Sequence, residues 1–271
     1  MAVTPNLLPV EKALALLREG PLGPAELCRQ VLLLQGQSEE LSSRLAATML
    51  EPDPRFCRLP DGRWTVTGYE QSFQAAELTR ASFVVVDVET TGFAPPADRV
   101  IEIGMVKVNG CRIEESYETL IDPQRPIPGP ITSLTGISYG MLAGCPTFRE
   151  ICAEVVRFIG EAVFVAHNAP FDWRFVQSEI ALATGCRLLN PKLCTRVLAR
   201  RLLPELERRN LDELARYFNL GFRARHRALG DAQVTAEVLL RFIERAGEKG
   251  ITTLPALFEY LKPRKRSSTE N

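Results

Sequence analysis

FVVVDVETTGF, residues 83–93, opens with a continuous apolar run of strand length, rich in valine, and carries two acids before a Thr-Thr-Gly turn. Such a run is expected of a strand covered on both faces. Asp87 and Glu89 lie two residues apart within it. In a strand their side chains leave the same face, about 6–7 Å apart along the backbone. Two acids on an otherwise apolar strand repel one another and resist desolvation unless cations or water neutralise them. A metal resolves that conflict. The competing reading is that the strand stops at Val88 and the acids open a turn, since Thr90-Thr91-Gly92 follows.

Downstream the pattern is α/β. VIEIGMVKV (100–108) and RIEESYETLI (112–121) flank Asn109-Gly110, a strong hairpin signal, so the sheet is mixed and opens with an antiparallel meander. Residues 122–147, which include IPGPITSLTGIS, read as a loop rich in Pro and Gly. Helix 148–159 then leads to strand AVFVAH (162–167), helix 171–183 and a short segment near 188–193. Helices follow at about 194–203, 211–218, 231–247 and 252–261.

Three further residues belong with the acid pair. Asp172, in HNAPFDWRF (167–175), falls in the first turn of a helix that follows a strand, where open α/β sheets place their ligands. An aspartate there also suits the helix dipole, so a structural cap is the alternative. His226 and Asp231 share HRALGDA (226–232), the histidine on a loop and the aspartate at a helix start. An imidazole there can take a proton from water near neutral pH. The chain has two histidines, His167 and His226, so an all-oxygen site suited to Mg²⁺ or Mn²⁺ is expected rather than a histidine-rich zinc centre.

The first 70 residues differ. Helical patterns at 10–19, about 24–35, and from a Ser38 N-cap to about Leu50 precede a hairpin, FCRLP and RWTVT about Pro60-Asp61-Gly62. Three short helices and a hairpin predict a winged-helix-like domain over 1–70, with a connector at 71–80. Arg55, Arg58 and Arg63 flank Trp64 there, while the third helix is poor in bases. Duplex binding is one reading of it, and a protein-contact or purely structural role the other.

In composition, 33 basic and 33 acidic residues cancel, and 45% of the 271 residues are hydrophobic. Charge is nonetheless unevenly placed. Between Arg187 and Arg227 there are eleven bases against four acids, and Lys262, Arg264, Lys265 and Arg266 form a basic tail. This is positive ground for a phosphate backbone, or simply a solvated face. No apolar run reaches the roughly 18–20 residues of a membrane span, and no signal peptide is evident, so a cytoplasmic protein is expected. Seven cysteines without a C-x-x-C pair are expected to be reduced.

VVDVETTGF, HNAPFDWRF and HRALGDA together resemble the three motifs of the DEDDh (DnaQ-like) 3′–5′ exonucleases, the family of the bacterial DNA polymerase III proofreading epsilon subunit. The similarity runs through IEIGMVKVNG, LIDPQRPIP, ITSLTGIS and NLDELARYFNL, over about residues 80–246. It implies a ribonuclease H-like domain at 81–247, followed by a terminal helix and tail at 248–271. By the resemblance Asp87, Glu89, Asp172 and Asp231 hold two Mg²⁺ or Mn²⁺ ions, and His226 is the general base of two-metal hydrolysis. Thr90, Thr91, Gly92 and Phe93 match the positions that meet the terminal nucleotide. His167 and Asn168 match positions near the substrate channel. The implied substrate is single-stranded or frayed 3′-ended DNA in proofreading or repair. RNA trimming, and a catalytically inactive binding adaptor, are the alternatives.

Overall fold

The computed structural model describes residues 9–53, 55–58, 61–66, 76–184, 187–188, 190–222 and 224–262. Pro60 of the expected turn, Cys186, Arg223, the first half of the expected connector (71–75) and the basic residues 264–266 lie outside them. The chain forms two compact units, Met1–Ser72 and Phe73–Asn271. No helix among the described residues is long and apolar enough to cross a membrane.

The first unit contains α1 (Pro9–Glu19), α2 (Pro24–Gln30), α3 (Glu39–Leu50) and an antiparallel pair, β1 (Phe56–Arg58) and β2 (Trp64–Val66). Ser38 caps α3, its hydroxyl accepting from Leu41 N–H at 3.2 Å. The second helix stops at Gln30 rather than near residue 35. Leu33 beyond it has φ 57° and is 76% exposed, so no apolar face is gained by continuing. Leu14, Leu17, Leu27, Leu50 and Trp64 form the buried interior. The hairpin arginines are committed to neighbours: Arg55 Nε meets Asp53 at 2.8 Å, Arg63 Nη2 meets Asp61 at 2.7 Å, and Arg58 Nη2 reaches Ser43 at 3.2 Å.

In the second unit β3 (Ser82–Thr90), β4 (Val100–Asn109), β5 (Arg112–Leu120), β6 (Val163–Ala166) and β7 (Lys192–Cys194) form one mixed sheet in the order β5-β4-β3-β6-β7. The first three are an antiparallel meander, and β6 and β7 join in parallel. The turn after β4 is centred one residue later than expected, on Gly110 and Cys111, because Asn109 already pairs with Arg112. Both turn residues have positive φ, as a tight hairpin of this twist requires.

Alternation along β3 separates two apolar layers. Phe83 and Val85 pack with α7 (Thr195–Leu202), α8 (Leu211–Tyr217), α9 (Ala228–Glu248) and α10 (Leu254–Leu261). Val84, Val86 and Val88 pack with α5 (Phe148–Ile159) and α6 (Pro170–Thr184). The segment expected as a loop at 122–147 instead holds α4 (Gly129–Thr135) and a 3₁₀ turn, Tyr139–Leu142. Its prolines and glycines are helix punctuation: a Pro stands in the first turn, and Gly136 closes α4 at φ 72°.

Candidate active site

The strand β3 runs through Thr90, so Asp87 and Glu89 lie inside it and the turn reading is excluded. They continue the face that begins with Phe83 and Val85, the face covered by α9. That parity brings Asp231, in the first turn of α9, to them. Ligand oxygens of Asp87, Glu89 and Asp231 all lie within 4.8 Å of one another. The close approach depends on Gly104, which pairs with Asp87 across β4. A Cβ there would stand 2.2 Å from Leu229 N and 2.3 Å from the Ala228 carbonyl carbon.

Asp172 reaches the same strand from α6. It is 3% exposed, and its Oδ1 accepts from the N–H of Val88, the residue between the two β3 acids, at 3.2 Å. The β6 ladder ends at Val85, which leaves that edge of β3 free for a side chain. Three of the four carboxylates therefore meet directly, and the fourth is fastened to the backbone between two of them.

His226 lies on the loop before α9 with φ 59°. Beside it Arg225 bridges two acids: its Nη1 donates to Asp231, while Nε meets Asp212 of α8 at 2.7 Å. The same Nη1 stands 3.4 Å from His226 Nδ1. The helix begins at Ala228, a turn-fraction earlier than the sequence suggests, because its N-terminus is capped from outside. Arg227 provides no side-chain cap; Glu102 of β4 instead accepts from Ala228 N–H at 2.9 Å and from Arg227 Nε at 2.9 Å. Glu179 acts likewise on α6, accepting from Arg99 Nε at 2.8 Å, Arg99 Nη2 at 2.7 Å and Val100 N–H at 3.1 Å. Sequence reasoning missed Glu102, Glu179 and Arg225. An acid in the apolar run VIEIGMVKV was the one available signal for Glu102.

The remaining predicted residues surround this cluster. Thr90 Oγ1 donates to the Gly92 carbonyl at 2.6 Å, and Thr91 Oγ1 donates to Asp98 at 3.3 Å while accepting from Arg99 N–H at 3.0 Å. Both hydroxyls thus shape the loop. Phe93 at its tip is 74% exposed and meets Phe171 edge-on, ring centroids 6.4 Å apart. Asn168 is exposed in a left-handed turn, φ 75°, leading into α6. His167 Nδ1 lies 2.9 Å from the Thr195 hydroxyl, so this imidazole ties the end of β6 to the start of α7.

Electrostatics sets the carboxylates apart. Burial pushes Asp87 well above the ordinary aspartate range, and repulsion from Asp172, Asp231 and Glu89 adds to it. Glu89 is raised to about 7, first by burial and then by Asp231 and Glu102. Burial also raises Asp172 and Asp231, Asp231 against the opposing pull of Arg225. His167 is lowered to about 4 by burial and by the charge of Arg196. The set fits hard divalent cations: its donors are all oxygen, and buried Asp231 Oδ1 has no hydrogen-bond partner among the described residues.

Known proteins place this arrangement. The family model RNase_T, described as Exonuclease, matches residues 84–239. The DNA polymerase III epsilon subunit of Aquifex aeolicus is 38% identical over 167 residues, 62% of this chain and 83% of that protein. The PolC-type DNA polymerase III of Thermotoga maritima is 42% identical over 174 residues, 64% of this chain but 13% of that much longer protein. Among solved structures, Exonuclease X in complex with 5′ overhanging duplex DNA superposes with a TM-score of 0.55 at 25% identity, covering 66% of this chain and 99% of that one. The nuclease domain of a DEDDh family member bound to rAMP shares the fold at 16% identity, with a TM-score of 0.52, covering 62% of this chain and 94% of that one. With its mixed sheet, its acid cluster and a family match over more than half its length, this chain belongs to the exonuclease family.

Proposed function

We propose that the chain is a divalent-metal-dependent 3′–5′ exonuclease that hydrolyses the terminal phosphodiester of single-stranded or frayed DNA and releases nucleoside 5′-monophosphates. The observation that carries this reading is the convergence of Asp87, Glu89 and Asp231 within 4.8 Å, with Asp172 bonded to the strand between the first two. These four would hold two Mg²⁺ or Mn²⁺ ions, which when bound lower the pKa of water and neutralise charge on the phosphate. His226, on its loop beside Asp231, takes the proton of the attacking water. The backbone of Thr90, Thr91 and Gly92 meets the terminal nucleotide, and exposed Phe93 wedges against its base. His167 and Asn168 border the channel, His167 by fixing the start of α7 rather than by reaching the substrate.

The DNA assignment is supported by relatives named as PolC-type DNA polymerase III and as the DNA polymerase III epsilon subunit, and by a structural neighbour in complex with DNA. We read the first unit as a winged-helix-like module that contacts protein, because its hairpin arginines are engaged with Asp53, Asp61 and Ser43.

Incubation of 5′-labelled single-stranded DNA and RNA with Mg²⁺, Mn²⁺ or EDTA tests the reading. The expected result is a ladder shortening stepwise from the 3′ end, with mononucleotide products, abolished by EDTA. Internal cuts at early times or cleavage in EDTA would contradict it, and faster trimming of RNA would move the substrate class.

A further inference from the structure

We propose that the exposed face of α7, Arg196 and Arg200, together with Lys192 of the preceding strand β7, binds the phosphates of the single strand on the 5′ side of the nucleotide being removed. This rests on the exonuclease reading and adds to it the path of the substrate.

Topology puts this face beside the acids. The strand β7 lies parallel to β6, and β6 to β3, so α7 starts at the sheet edge from which Asp87 and Glu89 emerge. With neighbouring strands about 4.8 Å apart, the start of α7 is roughly 10 Å from β3, a distance of one or two nucleotides. His167 is bonded to Thr195, the first residue of α7, at 2.9 Å, and the charge of Arg196 is felt at that imidazole. Lys192 Nζ lies 4.8 Å from the ring centroid of Trp173, the neighbour of Asp172.

The helix has two sides. Thr195, Leu198, Ala199 and Leu202 are buried, whereas Arg196 and Arg200, four residues apart on one face, are exposed together with Lys192. Neither Arg196 nor Arg200 has a hydrogen bond, ion pair or ring contact with any described residue. Elsewhere in the unit, Arg99 is matched to Glu179, Arg225 to Asp212, Arg227 to Glu102 and Arg241 to Glu244. A cleft of four carboxylates repels a polyanion, so an adjoining row of unmatched cations supplies the attraction that delivers one.

The test uses the full chain with Arg196→Gln and Arg200→Gln combined. Arg112→Gln serves as control, since Arg112 is exposed at the start of β5, the opposite edge strand. Hydrolysis is measured on an oligothymidylate of about twelve nucleotides and on the p-nitrophenyl ester of thymidine 5′-monophosphate, which is too small to reach α7. For the double variant, kcat/KM on the oligonucleotide relative to the ester should fall roughly tenfold, mostly through KM, and the slope of log KM against log salt should become shallower by about 1.4, at about 0.7 per lost phosphate contact. The control should leave both quantities unchanged. An equal loss on the ester, an unaltered salt slope, or the same loss in Arg112→Gln would overturn the proposal. Fluorescence anisotropy with the labelled oligonucleotide in Ca²⁺ measures the same contacts without turnover. A chain that binds tenfold better than the double variant yet cuts nothing would refute the nuclease reading and support the path; equal binding would refute the path.

Discussion

Glu102 and Glu179, each 2% exposed, share one compact unit with Asp87, Glu89 and Asp231, yet the two sets have opposite surroundings. Each glutamate accepts from an arginine and a backbone N–H, so its charge is met inside the chain. The aspartates and Glu89 face chiefly one another, with Arg225 the arginine bonded to Asp231. Buried acids that hold helices in place are neutralised by the fold; those to which we assign the chemistry are left in mutual repulsion, as a site for a cation requires. Glu102 even stands opposite Glu89 across the β3–β4 ladder, so a single cross-strand pair contains one acid of each kind.

The largest expected effect breaks the second set. Asp87→Asn should lower hydrolysis of single-stranded DNA on the order of a thousandfold, comparable to the loss of other transition-state charge partners, while Tm holds or rises because one repelling charge is gone. A variant that retains activity, or one that unfolds, would remove the distinction drawn here. Next comes the first set. Glu102→Ala leaves Arg227 and the α9 N-terminus without their acceptor and should destabilise the unit by about 3 kcal/mol, a fall in Tm of roughly 6–12 °C. Glu102→Gln, which keeps one acceptor oxygen, should fall between the two. An unchanged Tm in the alanine variant would show that the clamp is dispensable.

A smaller effect comes from pH. Glu89 is raised to about 7, above its unfolded value, so protons bind the folded state more tightly. The resulting stabilisation is full below about pH 4.5 and is lost as pH rises through about 7. In EDTA, Tm should therefore decline by several degrees between pH 5 and pH 8. Mg²⁺ should raise Tm more at pH 8 than at pH 5, since the cation takes the proton's place. Differential scanning calorimetry at both pH values checks the sign, and a Tm that climbs with pH in EDTA would contradict it.

Much of this was legible from residue order. The valine run, the same-face acids and the strand-to-helix position of Asp172 are local patterns, and each element formed about where its pattern lies. What escaped was non-local. The start of α9 was read too late because its cap is Glu102, over a hundred residues upstream, while Arg227 offers no local signal. The helix α4 was hidden in a stretch that composition marks as loop, since Pro and Gly delimit helices as readily as they fill turns. Arg225 was one base among eleven in its stretch, and only folding shows that it spans Asp212 and Asp231.

The bond from Ala228 to Glu102 also has a kinetic meaning. It joins residues 126 apart in sequence, and the entropy of closing so long a loop must be met before the contact rewards it. Docking of α9 is thus expected among the last steps of folding, and Asp231 arrives with it. On the proposed function, a nascent or refolding chain would carry Asp87 and Glu89 on a formed strand before it could cut a phosphodiester, and cleavage would begin only when α9 is seated.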